Sequence, residues 1–130
     1  MGNREEQIQR IAAIRGATTA TGNTREEILA AARELITEVL SRNKLNPKAV
    51  ISVFFTVTPD LNAAFPAEAA RQLGYTDWAM LDNVAPAVPG ALPRCIRALF
   101  HISLGDPGQE VCHVYLREAK RLRPDWAGAD

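Results

Sequence analysis

One long amphipathic segment constrains the fold of this chain more than any other feature of its sequence. Thr24 and Glu27 have the spacing of a capping box, in which each side chain satisfies a free backbone N–H of a first helical turn. The apolar residues that follow repeat at three- and four-residue spacing, and they are Ile28, Leu29, Ala32, Leu35, Ile36, Val39 and Leu40. This spacing predicts a helix with one buried face, which ends at Asn43 and Pro47. Such a helix needs a partner surface.

Segments rich in β-branched and apolar residues lie on both sides of the helix and predict a sheet as that surface. Residues 11–20 predict a first strand with a Thr-rich end. Val50–Val57 is nearly continuous in apolar residues, as expected of a central strand covered on both faces. Further strands are predicted over residues 76–82, Cys95–Leu104 and residues 111–122, with a GDPG turn between the last two.

Proline and glycine mark the connections between these elements. Pro66 and Gly74 bracket a short helix over residues 67–73. Prolines at positions 86, 89 and 93 make residues 85–93 a stiff loop that cannot enter a sheet interior. The predicted fold is therefore α+β, with a five-stranded mixed sheet packed on one long helix plus a short helix.

The length of 130 residues corresponds to a single domain, which we place at residues 11–125. Residues 1–10 are charged and polar and predict an N-terminal extension, either a disordered tail or a frayed helix, and residues 126–130 form a C-terminal tail. The apolar residues suffice for one core and little more, since 21 of them are Ala. We therefore expect any sizeable pocket to be shared with a partner chain.

Charge and motif content exclude several classes of function. Lys and Arg number 15, as do Asp and Glu, so neither a nucleic-acid footprint nor a membrane-binding basic face is indicated. Cys95 and Cys112 belong to no CxxC pair, and no phosphate loop, dinucleotide fingerprint, serine-hydrolase elbow or zinc-protease motif is present. The sequence thus indicates no cofactor and no metal. Without a signal peptide or an apolar run of ~20 residues, we expect a cytoplasmic protein.

Arginine is the chemistry-bearing residue type that remains, and it outnumbers lysine twelve to three. Arg15 and Arg97 interrupt otherwise apolar strands, where a guanidinium must either face solvent or meet an anion. Solvent-facing alternation is one interpretation, and a site for a multiply anionic small molecule is the other. For His101, His113 and Cys95 we favour structural roles over ligand, base or nucleophile duty.

Four segments together resemble successive motifs of one family, and they are IRGATT (14–19), TPDLNAAFPAEAAR (58–71), VPGALPRCIR (88–97) and HVYLREAKRLRPD (113–125). In this order, over roughly residues 11–125, they resemble the small monofunctional chorismate mutases of the AroH class. The resemblance implies a homotrimeric pseudo-α/β-barrel with sites in clefts between adjacent subunits. It also implies the Claisen rearrangement of chorismate to prephenate, in phenylalanine and tyrosine biosynthesis, without cofactor or covalent catalysis.

The resemblance assigns roles residue by residue. Arg97 matches the arginine that donates to the breaking ether oxygen and to a substrate carboxylate, and Arg15 and Tyr115 match carboxylate-binding residues. The further substrate-binding positions that it implies, as apolar walls or basic rim residues, are Phe65, Arg71, Leu81, Leu122 and Arg123.

The sequence departs from the family pattern in the middle. Ala85 stands where the family has a glutamate that bonds the substrate's ring hydroxyl, and Glu68 replaces a lysine near the site mouth. Asp82, three positions before Ala85, is expected to supply the missing carboxylate; in the alternative, it caps a turn and the hydroxyl contact is lost. Two other functions remain open, a non-catalytic metabolite-binding trimer and a trimer like the imine deaminases.

Overall fold

A computed structural model describes residues 10–106 and 108–127 of the chain. The predicted N-terminal extension therefore lies outside the described residues except for Arg10, which begins the first strand. Pro107 of the GDPG turn and the last three residues of the predicted tail also lie outside them.

The amphipathic segment forms helix α1, Arg25–Arg42, as predicted. Thr24 is its N-cap, because the Glu27 N–H donates to Thr24 Oγ1 at 3.1 Å. The Glu27 carboxylate accepts from the hydroxyls of Thr21 and Thr24, at 2.7 and 2.9 Å, rather than from a backbone N–H. The predicted apolar residues are all buried on one face of the helix, so periodicity identified the core side of α1 correctly.

Five strands form one mixed sheet, as predicted, and they are β1 (Arg10–Thr19), β2 (Val50–Val57), β3 (Ala79–Val84), β4 (Cys95–Leu104) and β5 (Val114–Tyr115). Their order across the sheet is β3-β2-β4-β1-β5. The central pairs β2–β4 and β4–β1 are antiparallel, whereas the two outer strands pair in parallel. A 3-10 turn, Pro47–Ala49, leads into β2.

Helix α1 covers one face of the sheet and leaves the other open. A Cβ added at Gly16 of β1 would lie 3.0 Å from Leu35 Cδ1, so α1 packs closely on the face that carries Gly16. Ile96 and Phe100 of β4 share this covered face and are fully buried. The opposite face, called the open face below, carries the alternate residues of each strand, including Arg15, Phe54, Leu81, Arg97 and Leu99.

The expectation that β2 is covered on both faces is wrong for the single chain. Ile51 is 46% exposed and Phe54 is 41% exposed. Phe54 lies in register with Leu81 of β3 and Leu99 of β4 on the open face, where no element of the described chain covers it. Continuous apolar sequence in β2 therefore reflects a surface that one chain does not bury.

The short helix and the proline loop occupy the predicted positions, but two strand predictions need correction. Helix α2 is Ala67–Gln72, and Gly74 follows it with a φ of +94°. The third strand begins at Ala79, later than predicted, because Trp78 is buried in the core and stacks on Tyr75 with ring centroids 4.7 Å apart.

Residues 111–122 do not form one strand. Only Val114–Tyr115 pairs with β1, and a 3-10 helix, Arg117–Arg121, follows, then helix α3, Pro124–Ala127. Leu116, Ala119 and Leu122 turn inward at a spacing of three, which is the period of a 3-10 helix and not of a strand.

Asn43 ties the end of α1 to the segment that enters β5. Its side chain is buried, and its Nδ2 donates to the carbonyl oxygens of Val39 and Cys112, both at 2.9 Å. Its Oδ1 accepts from the Cys112 N–H at 2.7 Å. The chain therefore returns to the sheet at a fixed point, directly before His113 and Tyr115.

Candidate active site

Arg15 and Arg97 lie close together on the open face. In the antiparallel register of β1 and β4, Ala17 faces Arg97 and Arg15 faces Leu99, so the two arginines are diagonal neighbours with the same orientation. They line a cleft of about 490 Å³ whose other lining residues include Phe54, Thr56 and Ala85. We call this the arginine cleft. Neither guanidinium has a carboxylate partner within residues 10–106 and 108–127, so both are available to an anion.

Cys95 begins β4 beside Arg97 and is buried, as predicted for a small core residue. Burial raises the pKa of the Cys95 thiol, although the Arg97 guanidinium next to it opposes the shift. A thiol held in its protonated form is a poor nucleophile. The cleft is therefore defined by its guanidinium groups and not by this sulfur.

Tyr115 lies beside the same arginines. It pairs with Ala17 in the parallel β1–β5 ladder and is only 2% exposed. Burial raises the pKa of its phenol, and the positive charges of Arg15, Arg123 and Arg97 act against that rise. The phenol thus stays protonated and available as a donor near three guanidinium groups.

The C-terminal segment covers this end of the open face. Leu122 packs with Tyr115, Ala17 and Ala119 in a small apolar cluster separate from the main core. Arg123 binds Asp125 through two hydrogen bonds of 3.1 and 2.8 Å. The structure therefore brings Arg15, Arg97 and Tyr115 close to Leu122 and Arg123.

Two further residues belong to this end, and sequence analysis missed both in this role. The Trp126 ring lies 3.9 Å from the His113 ring between centroids, and Arg123 Cζ lies 3.5 Å from the Trp126 ring centroid. The signal for His113 was its position two residues before Tyr115, which places both on one side of the chain. No sequence signal places Trp126, because its contacts depend on how α3 folds back.

A second cleft, of about 730 Å³, is lined by Phe65, Glu68 and Asp82 together with Arg25 and Val84, and Val84 also lines the arginine cleft. We call it the Phe65 cleft. Phe65 is 64% exposed there. Both oxygens of the Glu68 carboxylate accept hydrogen bonds from the Arg25 guanidinium at the mouth of the cleft. The charge introduced by Glu68 is therefore matched locally.

Asp82 is half-buried in the Phe65 cleft. Its Oδ1 accepts from the Ala67 N–H, at the start of α2, at 3.0 Å. Burial raises the pKa of the Asp82 carboxyl, whereas the Ala67 hydrogen bond and the Arg71 charge lower it. Arg71 is exposed on α2. Asp82 thus engages one oxygen in a helix-start contact and leaves Oδ2 without a hydrogen bond from the described residues.

A single chain does not bring all of the predicted residues together. Asp82 pairs in register with Phe55, which is fully buried on the covered face, so Asp82 points away from Arg97. Leu81 pairs with Phe54 on the open face and is 57% exposed. The predicted residues that line a cleft therefore divide between the two, with Arg15 and Arg97 at the arginine cleft and Phe65 and Asp82 at the Phe65 cleft.

The arginine cleft defines a class of protein. Two guanidinium groups on an exposed sheet face, with a third guanidinium and a buried, protonated phenol nearby, suit a small molecule with more than one carboxylate, because arginine binds carboxylates through two donors. Among the described residues no three His, Cys, Asp or Glu side chains are grouped to hold a metal ion. No helix in the part of the chain that the structure describes is long and apolar enough to cross a membrane. The fold and the site are those of a small mixed-sheet protein that binds an anionic metabolite.

Comparison with known proteins makes the class specific. The family model described as chorismate mutase type I matches residues 11–126, and the chain belongs to this family. The chorismate mutase AroH of Thermus thermophilus is 48% identical over 117 residues, which are 89% of this chain and 96% of the relative. That of Bacillus subtilis is 36% identical over 116 residues, 88% of this chain and 91% of the relative.

A solved structure agrees with this assignment. A chorismate mutase from Clostridium thermocellum is similar to the present fold with a TM-score of 0.81 at 44% sequence identity. The similarity covers 85% of this chain and 98% of that one. The mixed five-stranded sheet is thus the fold of this family.

Proposed function

We propose that the protein is an isomerase that converts chorismate to prephenate, the committed step toward phenylalanine and tyrosine. The observation that carries the proposal is the placement of Arg15 and Arg97 on one sheet face beside Tyr115, with no carboxylate partner for either guanidinium among the residues that the structure describes. Family membership names the substrate, and this geometry supplies the groups that a dicarboxylate with a breaking ether bond requires. We place the reaction in the cytoplasm.

The rearrangement requires only that the substrate is positioned and that its developing charge is stabilised. The ether C–O bond of chorismate breaks while a new C–C bond forms in the same molecule, so no group leaves and no nucleophile is needed. Holding the substrate in a compact conformer lowers the entropic part of the barrier. Donors aimed at the ether oxygen, where negative charge develops, lower the electrostatic part.

The residues divide these tasks. Arg97 donates to the ether oxygen and to one carboxylate, Arg15 binds a carboxylate, and Tyr115 helps to hold the enolpyruvyl carboxylate. Arg123 and Arg71 are basic rim residues. The apolar walls are Phe65, Leu81 and Leu122.

The active form that we propose is a homotrimer of pseudo-α/β-barrel type. Large apolar side chains are exposed on the open face, at the end of β3 and in the loop after it, and they are Ile11, Phe54, Leu81, Val84 and Val88. Apolar residues grouped in this way are typical of a protein–protein interface. The arginine cleft and the Phe65 cleft present different residues of one chain, so a site that takes its arginines from one subunit and Asp82 from the next needs a head-to-tail contact, which gives a ring where the rotation closes.

The neighbouring subunit would then complete the site with Asp82. Ala85 lines the arginine cleft with a small side chain, which leaves room opposite the ring hydroxyl of the substrate. The free Oδ2 of Asp82, held in place by the Ala67 contact, would accept a hydrogen bond from that hydroxyl. The carboxylate missing at position 85 is thus supplied from position 82.

Purified protein tests the proposal directly. We expect the absorbance of chorismate to fall on addition of the protein, with prephenate as the product detected by chromatography. Equilibrium dialysis in parallel distinguishes the alternatives: binding of chorismate without turnover would support a non-catalytic metabolite-binding trimer. Light scattering should give three times the 14.2 kDa chain mass; a fully active monomer would contradict the interfacial site.

A further inference from the structure

His113 makes an unusual contact with the backbone of β1. The backbone N–H of Arg15 donates to His113 Nδ1 at 3.0 Å. In a sheet this N–H normally donates to a carbonyl oxygen, so the imidazole substitutes for part of the β1–β5 ladder, which pairs only at Gly16 and Ala17. An Nδ1 that accepts a hydrogen bond carries no proton, so the ring is neutral with its proton on Nε2.

The other side of the imidazole contacts Trp126. The two rings stack with centroids 3.9 Å apart at an interplanar angle of 26°. The same indole ring lies 3.5 Å from Arg123 Cζ and 5.5 Å from Arg15 Cζ, both measured to its centroid. His113 therefore supports Arg15 twice, through its backbone N–H and through the aromatic ring near its guanidinium.

The groups around His113 disfavour a charged imidazole. Arg15 faces it from β1, and Arg123 faces it from the C-terminal segment, where Asp125 neutralises part of that charge through two hydrogen bonds. Tyr115 lies on the same side of β5. Burial and the charges of Arg15 and Arg123 lower the pKa of His113 below its usual value of 6.5. The Cys112 thiol contacts the backbone carbonyl oxygen of His113 at 3.6 Å.

We propose that His113, in its neutral form, is a positioning residue that fixes Arg15 and Trp126 for binding of a substrate carboxylate, and that protonation of His113 releases both. This inference rests on the proposed function, since it assigns a role within the same site. Protonation removes the acceptor of the Arg15 N–H and adds a third positive charge beside Arg15 and Arg123. The arginine cleft then loses its fixed geometry, and substrate binding weakens as the pH falls.

Two substitutions separate the acceptor from the ring. His113→Phe keeps an aromatic surface for Trp126 but removes the acceptor, and we expect KM for chorismate to rise about three- to tenfold, as for one lost hydrogen bond. The value of kcat should change less than KM, because Arg15 binds substrate and transition state alike. His113→Asn places an amide oxygen near the position of Nδ1. It should reverse at least half of the increase in log KM that His113→Phe causes. Equal KM values for His113→Phe and wild type would overturn the proposal.

The pH profile is the second readout. We expect kcat/KM of the wild type to fall as the pH drops below 6.5, and His113→Asn, which does not titrate there, to lack that part of the fall. His101→Asn is the matched control, since it removes the only other histidine of the sequence and should leave the acid limb where it is. An identical acid limb in wild type and His113→Asn would contradict the proposal.

A spectroscopic measurement is independent of activity. A protonated imidazole quenches a stacked indole, so Trp fluorescence of the wild type should decrease as His113 titrates, and His113→Asn should lack that step. Trp78 contributes the same background to both proteins. A missing step in the wild type would remove the stacking part of the inference even if chorismate turnover is normal, whereas a normal step without turnover would count against the proposed function only.

Discussion

The two faces of β4 differ in what they need from outside the chain. On the face toward α1, Ile96, Phe100 and Ile102 are all fully buried, and one chain completes the packing. On the open face, Arg97 is exposed and Leu99 and His101 are half-buried, and no helix of the described part of the chain packs over them. Neighbouring residues of β4 therefore have separate roles: those on the covered face stabilise the fold, and those on the open face are available for function. Substitutions on the two faces should therefore change different measured quantities.

The largest effect is expected on the covered face. Phe100→Ala removes a fully buried ring that packs edge-on against Trp78, and we expect a loss of about 3–5 kcal/mol in the free energy of unfolding. Denaturant titration measures this loss. Leu99→Ala, one residue away on the open face, is the matched control and should lose much less. Equal losses would show that the open face is packed as tightly as the covered face, either within the chain or against a neighbouring subunit.

Arg97→Ala should lower activity and leave stability almost unchanged. Removal of the donor to the ether oxygen is expected to lower kcat by about 2.7–4 kcal/mol, roughly a hundred- to a thousandfold, as for loss of an oxyanion donor. The free energy of unfolding should stay within about 0.5 kcal/mol of wild type, since Arg97 is exposed. Arg97→Lys should rescue poorly, because an ammonium does not reproduce the two-donor geometry. A kcat within about tenfold of wild type would make Arg97 a solvated strand residue.

Asp82 tests whether the two clefts cooperate. Asp82→Ala should lower activity by about 1.5–3 kcal/mol, roughly ten- to a hundredfold, because the substrate hydroxyl loses a charged acceptor. Asp82→Asn is the sharper variant, since its amide oxygen still accepts from the Ala67 N–H. If Asp82 serves only as that acceptor, Asp82→Asn will be as fast as wild type.

Asp82→Asn should also change the stability of the protein, and the direction of that change follows from the pKa of Asp82. Because burial raises the pKa of Asp82 in the folded state, the folded protein binds this proton more tightly than the unfolded chain does. Asp82 therefore lowers stability at neutral pH, and that cost fades on acidification. Asp82→Asn should unfold at an equal or higher denaturant concentration than wild type at pH 7.

The double change Asp82→Cys with Ala85→Glu should restore most of the activity lost in Asp82→Ala.

The smallest effect concerns the mouth of the Phe65 cleft. Glu68→Lys removes the partner of Arg25 and makes the mouth more positive, so KM for the dianionic substrate should fall a few-fold at low salt. The gain should disappear at high ionic strength, where the charges are screened. Glu118→Lys, which breaks an exposed pair with Arg121, is the matched control and should leave KM at its wild-type value.

Local patterns predicted most of the fold. Helix α1 and strands β1, β2 and β4 were predicted because their periodicity is contained within the segments themselves. The strand prediction over residues 111–122 was wrong because β5 exists only through pairing with β1, almost a hundred residues away. Leu116, Ala119 and Leu122 carried the helical spacing, which the β-branched start of the segment obscured.

The candidate site was predictable where one strand pair determines it. Arg15 and Arg97 share a face through the antiparallel register of two strands that the sequence identified. The orientation of the Asp82 side chain was not predictable, because it depends on the register between β2 and β3. Strand β3 also starts later than the sequence predicted. The role of Trp126 depends on the return of α3 over the sheet, and no local pattern encodes that return.

The contacts of Asn43 determine where this protein can accept inserted residues. Its side chain holds the Cys112 backbone on both sides, so the start of β5 is anchored to α1 and does not depend on the length of the turn before it. Residues inserted between Gly105 and Asp106, which are both exposed, would extend the chain at the surface without moving His113 or Tyr115. The turn after β4 is therefore a suitable place to graft an affinity tag or a reporter peptide into a working enzyme, provided that Asn43 is kept.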